Sequence, residues 1–307
     1  MIWVGLGWLL AVGLLVLAGL AFAGSIPLMR RRVPDPPDEP ARHGLPGEAV
    51  RFPSRDGLML GGWWIPAGGA ARGTIILCPG QNGSADADLP QAVALHAAGF
   101  DVLLFDWRAH GRSEGAQVTM GAREQLDLAG AIDYATGARG AQRIGVLGFS
   151  MGAGVALMTA ATDTRIAALV LDGAYPRLDG ILAARLRLAR LPGPLALFGA
   201  RLILLAASLR ANCQLFRANP IDYAPGVQAP ALFIHGEADP FVNGAELDAL
   251  RAALGGPSEA WRVVGAGHRQ AVALAPDEYA QRVVAWFETH LGAKDSRLFA
   301  NYPARPA

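Results

Sequence analysis

The stretch Arg143–Ala161, RIGVLGFSMGAGVALMTAA, decides the fold. Up to Phe149 its aliphatic and β-branched residues predict a buried strand. From Met151 an alanine-rich segment predicts a helix. Ser150 stands at the junction, with Gly148 and Gly152 on either side. A strand that becomes a helix at one residue needs a very tight turn. Glycines there remove Cβ atoms that would clash. Such a turn lifts the Ser150 hydroxyl above the sheet and aims the first helical amides, that of Met151 among them, at whatever the hydroxyl attacks. The plainer alternative is a serine that only caps a helix.

Outward from this stretch, strands and helices alternate. EAVRFPS and LMLGGWWIP flank the turn RDG (Arg55–Gly57) and predict an antiparallel hairpin. GTIILCPG, DVLLFDW, IAALVLDGA, APALFIHGEAD and EAWRVVGAG read as further strands. DADLPQAVALHAAGF, AREQLDLAGAIDYATG, GAELDALRAALGG and PDEYAQRVVAWFETHLG read as helices between or after them. Short apolar strands separated by helices predict an α/β fold with a mostly parallel sheet covered on both faces. Sites in such sheets lie beyond the carboxyl ends of the strands.

A serine hydroxyl needs a base to take its proton. Of six histidines, His268 in VVGAGH follows the last strand, at the end where a site belongs. His43 falls in a linker, His96 inside a helix, His110 in a loop after a strand, and His290 near the end of the last helix. His235 precedes a glycine at a strand end, where a structural role fits. The imidazole in turn needs an acid to fix its tautomer. Asp239 in FIHGEADPFV lies just past the penultimate strand; Asp172 in LVLDGAY is the fallback, and Glu237 a weaker third choice.

GFSMG, DWRAHGRSEG, HGEADPFV and GAGH occur in the order found in the α/β-hydrolase superfamily, and over roughly residues 47 to 291 the chain resembles that superfamily. The resemblance implies a catalytic triad of Ser150, Asp239 and His268. It implies that Asp106, Arg108, Gly111 and Ser113 mainly shape the site. It also implies an oxyanion hole built from the amide of Met151 and one from the PGQNGS loop. Relatives usually carry His-Gly where Pro79 and Gly80 stand, so Gln81 aligns with the usual donor and Asn82 is the alternative. The chemistry expected is cleavage of a carboxylic ester, lipid-like or long-chain, through an acyl-enzyme, with no metal or organic cofactor required. A thioesterase or peptidase of the same fold, or a non-catalytic membrane-side scaffold, are the competing readings.

Outside the hydrolase-like part, Ile2–Met29 carries no charged residue and is long enough to cross a bilayer. A signal peptide cleaved near Ala21-Phe22-Ala23 competes with a retained anchor. The anchor is favoured by the length of the run and by the absence of a preceding Lys or Arg. Arg30, Arg31 and Arg32 follow it, which by the positive-inside rule puts the main domain on the cytoplasmic side. The expected organisation is an anchor with its basic flank (1–32), a Pro-rich spacer (33–46), a hydrolase domain (47–292) and a tail (293–307). Within the domain, a helical cap is expected at about 176–220. The cap holds Arg177, Arg185, Arg187, Arg190, Arg201, Arg210 and Arg217 against one acid, Asp179, among apolar runs. Two readings stay open for it: a lid packed on the domain, or an element that also touches membrane lipid. The net charge of +1 gives no electrostatic reason to expect nucleic acid. Cys78 and Cys213 form no disulfide framework or metal spacing. The expected partners are a small acyl ester and membrane lipid, with the oligomeric state undetermined.

Overall fold

A computed structural model describes residues 2–32 and 36–291. Residues 33–35 of the expected spacer and the expected tail lie outside the described residues. In chain order the elements are α1 (Ile2–Met29), β1 (Glu48–Pro53), β2 (Met59–Ile65), β3 (Thr74–Cys78), α2 (Leu89–Ala97), β4 (Asp101–Phe105), α3 (Glu124–Gly137), β5 (Ile144–Phe149) and α4 (Met151–Ala160). They continue with β6 (Ile166–Asp172), α5 (Leu178–Leu188), α6 (Gly193–Ala211), α7 (Pro220–Tyr223), β7 (Ala231–Gly236), α8 (Gly244–Ala252), β8 (Ser258–Val263), α9 (Ala271–Leu274) and α10 (Pro276–Leu291). The eight strands form one sheet in the order β1-β2-β4-β3-β5-β6-β7-β8. The β1–β2 hairpin pairs antiparallel and joins β4 antiparallel; every pairing from β4 through β8 is parallel.

The parallel strands are apolar on both sides because both sides are covered. Successive side chains on a strand point to opposite faces. Ile76, Val146, Leu169, Leu171 and Phe233 meet α3, α4 and the cap on one face. Ile75, Leu77, Leu147, Val170 and Ile234 meet α2 and α10 on the other. Each such side chain fully removed from water contributes about 1.5–3 kcal/mol before entropy is counted. This double-sided burial holds the carboxyl ends of β3 through β8 as a fixed rim.

The segment 178–211 supplies two helices, α5 and α6, between β6 and β7. On α6 the small residues Ala196, Ala200 and Ala207, with Leu204, face inward and are buried. Its other face leaves Leu195, Phe198, Leu205 and Leu209 exposed. α1 runs against that helix: a Cβ on Gly24 would stand only 2.7 Å from two carbons of Ile203, so the glycine permits the close approach. Both α1 and α6 are long and apolar enough to cross a bilayer.

The end of α1 is built into the domain. Leu28 and Met29 are buried, and the Met29 carbonyl accepts from the Val118 amide. The Arg31 guanidinium donates to the carbonyls of Gly111, Ser113 and Gly115. The expected spacer differs correspondingly. Its described part lies along the domain, with Pro40 and Leu45 buried and the Asp38 amide bonded to Asp86. Proline-rich composition signals stiffness, but it does not say whether the stiff segment stands free or packs.

Candidate active site

Ser150 is held in the left-handed region, at φ 52° and ψ −111°, a conformation that costs a non-glycine residue on the order of 1–3 kcal/mol. The flanking glycines are required by backbone atoms. A Cβ on Gly148 would stand 2.6 Å from the Gly152 carbonyl oxygen. One on Gly152 would stand 2.0 Å from the Cys78 carbonyl oxygen. The Ser150 amide donates to the Asp172 carbonyl at 2.8 Å, which ties the turn to the neighbouring strand.

His268 lies in the loop after β8 and reaches across β7 and β6. Its Nε2 is 2.8 Å from Ser150 Oγ, and its Nδ1 is 2.7 Å from Asp239 Oδ2. An ionised carboxylate can only accept, so Nδ1 carries the proton and Nε2 is left to accept from the serine. The other Asp239 oxygen, Oδ1, accepts from the amides of Phe241 and Val242. Burial pushes the Asp239 carboxyl up, but His268 and the two amides outweigh it, and the group lies below its ordinary value. The imidazole edge rests on Gly173, where a Cβ would come within 2.9 Å of Cε1, and the Phe241 ring packs edge-on against it.

Asp172, the fallback acid, does not bond His268. Its side chain is buried and accepts from the Tyr279 hydroxyl at 3.1 Å. Burial raises its pKa to about 6, against the lowering effect of Arg269, Tyr279 and His268. Glu237 is not joined to His268 either; its amide bonds the Val263 carbonyl. His43 pairs with Asp38 and His235 is buried in β7, both away from Ser150.

Among the described residues, the amides of Gln81, Asn82 and Met151 have no acceptor within the chain. All three residues surround Ser150: Met151 follows it, while Gln81 and Asn82 line the same cleft of about 560 Å³. The DWRAHGRSEG loop braces the strand of chain that carries Gln81. The Trp107 indole donates to the Pro79 carbonyl, and His110 Nε2 lies 2.7 Å from the Gln81 carbonyl. Asp106 accepts from the amides of Ala85 and Arg112. Ser113 bridges the Gly61 amide and the Asp106 carbonyl. Arg108 is buried between Asp56 and Asp127. Sequence reading missed the bracing by Trp107 and His110, whose only signal was their place inside that loop.

Gly80, Leu188, Phe241 and the Arg185 and Arg269 guanidiniums complete the cleft wall. Arg269 pairs with Asp88 and stacks on Phe149. Among the described residues, no three His, Cys, Asp or Glu side chains gather to hold a metal ion.

A parallel sheet ordered in this way, with a strained serine at the strand-to-helix turn after β5, defines a hydrolase scaffold. The chain belongs to the family described as alpha/beta hydrolase fold, whose model matches residues 73–199. It is 30% identical over 233 residues to an uncharacterized protein of Mycobacterium tuberculosis, covering 72% of each. It is also 36% identical over 132 residues to the polyketide transferase grgF of Penicillium sp, covering 41% of this chain and 44% of the transferase. Among solved structures, the Pyrococcus furiosus esterase Pf2001 superposes with a TM-score of 0.72 at 27% identity, covering 86% of this chain and 99% of the esterase.

Proposed function

We propose that the protein is a membrane-anchored serine hydrolase that cleaves carboxylic esters, with lipid-like or long-chain acyl esters as its substrates. The observation that carries the reading is the relay from Ser150 Oγ to His268 Nε2 at 2.8 Å and from Nδ1 to Asp239 at 2.7 Å. The likeness to the Pyrococcus esterase supports an ester over an amide.

Ser150 Oγ attacks the acyl carbonyl carbon as its proton passes to His268 Nε2. The carbonyl oxygen becomes an oxyanion, met by the amides of Met151 and Gln81. Collapse breaks the ester C–O bond, and His268 returns the proton to the departing alkoxide. Water, deprotonated by His268, then attacks the acyl-serine. The second collapse releases the carboxylic acid and restores Ser150. Asp239 stays ionised throughout and stabilises the imidazolium.

α1 serves as the anchor in this reading, with the domain on the cytoplasmic side of Arg30–Arg32. Its exposed Trp8, Leu9, Leu15 and Leu20 need a covering that lipid supplies. The adjoining exposed face of α6 favours contact between the cap and lipid. Retention over cleavage is supported by contacts at the would-be cut itself: Ala21 is buried and the Arg210 guanidinium lies over the Phe22 ring.

The test is labelling of the full chain in neutral detergent with a fluorophosphonate, followed by a 4-nitrophenyl ester series graded by acyl length. Covalent labelling that disappears in Ser150→Ala is expected. Folded protein that does not label, or a Ser150→Ala variant that labels equally, overturns the proposal.

A further inference from the structure

Among the described residues, two of the cap's seven arginines have a carboxylate beside them. Arg177 and Arg201 both pair with Asp179. Arg185 does not: among the described residues no carboxylate oxygen lies within the 4.0 Å of an ion pair. Its Nη1 donates to the side-chain oxygen of Gln81 at 2.9 Å, and its guanidinium sits 5.8 Å from the Phe241 ring centroid. The residue is half-buried on α5 and lines the same cleft as Ser150 and His268.

A second cation stands behind it. Gln81 donates through its side-chain nitrogen to the Leu28 carbonyl, and the same carbonyl accepts from Arg32 Nη2. Arg32 Nε is buried without a partner. Burial, then the charges of Arg30 and Arg185, push the Arg32 guanidinium below its ordinary value. A hydrogen-bonded string thus runs from the end of α1 through Gln81 to the cap, with a guanidinium at each end. Keeping two like charges partly out of water without a counter-charge is unfavourable. A ligand anion removes the penalty, and planar guanidinium forks match phosphate oxygens.

We propose that Arg185, backed by Arg32, forms a phosphate-binding subsite of the catalytic cleft, so that the preferred substrate is an acyl ester that also carries a phosphate. The inference rests on the hydrolase reading and narrows its substrate class. The exposed Leu188 on the cleft wall and the neighbouring apolar faces of α1 and α6 favour a lipid-borne phosphate. Free phosphate is the other source of the same chemistry.

Binding is measured by calorimetry on the full chain in neutral maltoside detergent, with hexyl phosphate, hexanol and inorganic phosphate as probes. Wild type is expected to bind hexyl phosphate at least tenfold more tightly than hexanol. Charge-assisted hydrogen bonds of this kind predict that Arg185→Gln lowers that ratio by roughly tenfold to a hundredfold. Arg185→Lys restores part of it, because the charge returns without the fork. Hexyl phosphate far ahead of inorganic phosphate assigns the subsite to lipid; equal binding assigns it to free phosphate. A purely structural role, holding Gln81 in place, leaves the ratio unchanged and overturns the proposal. So does a wild-type ratio near one. Should Arg185→Gln fail to fold, Arg32→Gln reads the same ratio, with a smaller drop expected and an unchanged ratio fatal. Fluorophosphonate labelling of Ser150 in the same samples separates the two readings. Its loss in wild type removes the hydrolase, while the calorimetric ratio independently judges the subsite.

Discussion

Replacing Gly152 with alanine probes the tight turn directly. The added Cβ would stand 2.0 Å from the Cys78 carbonyl oxygen and 2.6 Å from that of Pro79, where ordinary contact begins at 3.4 Å. The first oxygen must therefore withdraw by about 1.4 Å. Neither obstacle is a flexible side chain. Cys78 ends β3, which is paired to β4 on one side and β5 on the other, so the strand itself resists. The movement falls on residues 79–82, which carry the Gln81 and Asn82 amides. Displacing a catalytic group by about 1 Å costs on the order of a hundredfold in rate. Overpacking costs about 1–3 kcal/mol, which lowers the melting temperature by roughly 3–10 °C in a domain of this size. The assay is the rate of fluorophosphonate labelling beside a thermal scan. Gly154→Ala is the comparison: its Cβ would meet only side-chain atoms of Pro220 and Tyr175, at 3.1 Å. It is expected to cost stability while leaving labelling largely intact. Wild-type labelling and an unchanged melting temperature in Gly152→Ala would refute the steric account.

Asp239→Asn is expected to slow ester turnover by about four orders of magnitude, because Nδ1 loses its anionic acceptor. The Asp239 carboxyl lies below its ordinary value, so it adds stability above about pH 4 that is lost as pH falls through the folded value. Acid titration of wild type should show that loss, and the variant should lack it. Asp172→Asn has the opposite sign. With a folded pKa of about 6 against about 3.9 unfolded, ionising Asp172 costs stability progressively from pH 4 to 6 and fully above. The variant should gain up to about 3 kcal/mol at pH 8 and little at pH 4, measured by denaturant titration at both. A leucine at Gly24 meets Ile203 within 2.7 Å and should pry α1 from α6. Faster proteolysis at the exposed Arg190 turn, read by mass spectrometry, checks this; an unchanged cleavage rate contradicts it.

Local chemistry made much of this molecule legible. Near-continuous apolar runs in the inner strands announced a sheet covered twice, and the strands and helices fall close to where periodicity put them. The glycines beside Ser150 carried the turn in the sequence itself, since only their missing Cβ atoms let β5, α4 and the Cys78 carbonyl meet. His268 was marked by its place beyond the last strand. Position past the penultimate strand favoured Asp239 over Asp172, without showing which way either carboxylate points. Asp172 ends β6 and Asp239 lies just past β7, on the same rim, and what separates them is direction: one carboxylate faces Nδ1 and the other turns toward Tyr279. Among the described residues the amides of Gln81 and Asn82 are both unused, and both residues line the cleft. The embedding of α1 was illegible for another reason. Carbonyls of Gly111, Ser113 and Gly115 bind Arg31, and carbonyls carry no side-chain signature.

That embedding has a kinetic meaning. A catalytic head on a slack leash sweeps a volume of solution and meets its substrates by diffusion in three dimensions. Here Arg31 and Met29 clamp the head to its own mast, so with α1 in a bilayer the rim keeps one height and one tilt above the leaflet. On the proposed reading of an anchored ester hydrolase, encounters come from lateral traffic in the leaflet, and turnover should follow the surface density of substrate rather than its bulk concentration.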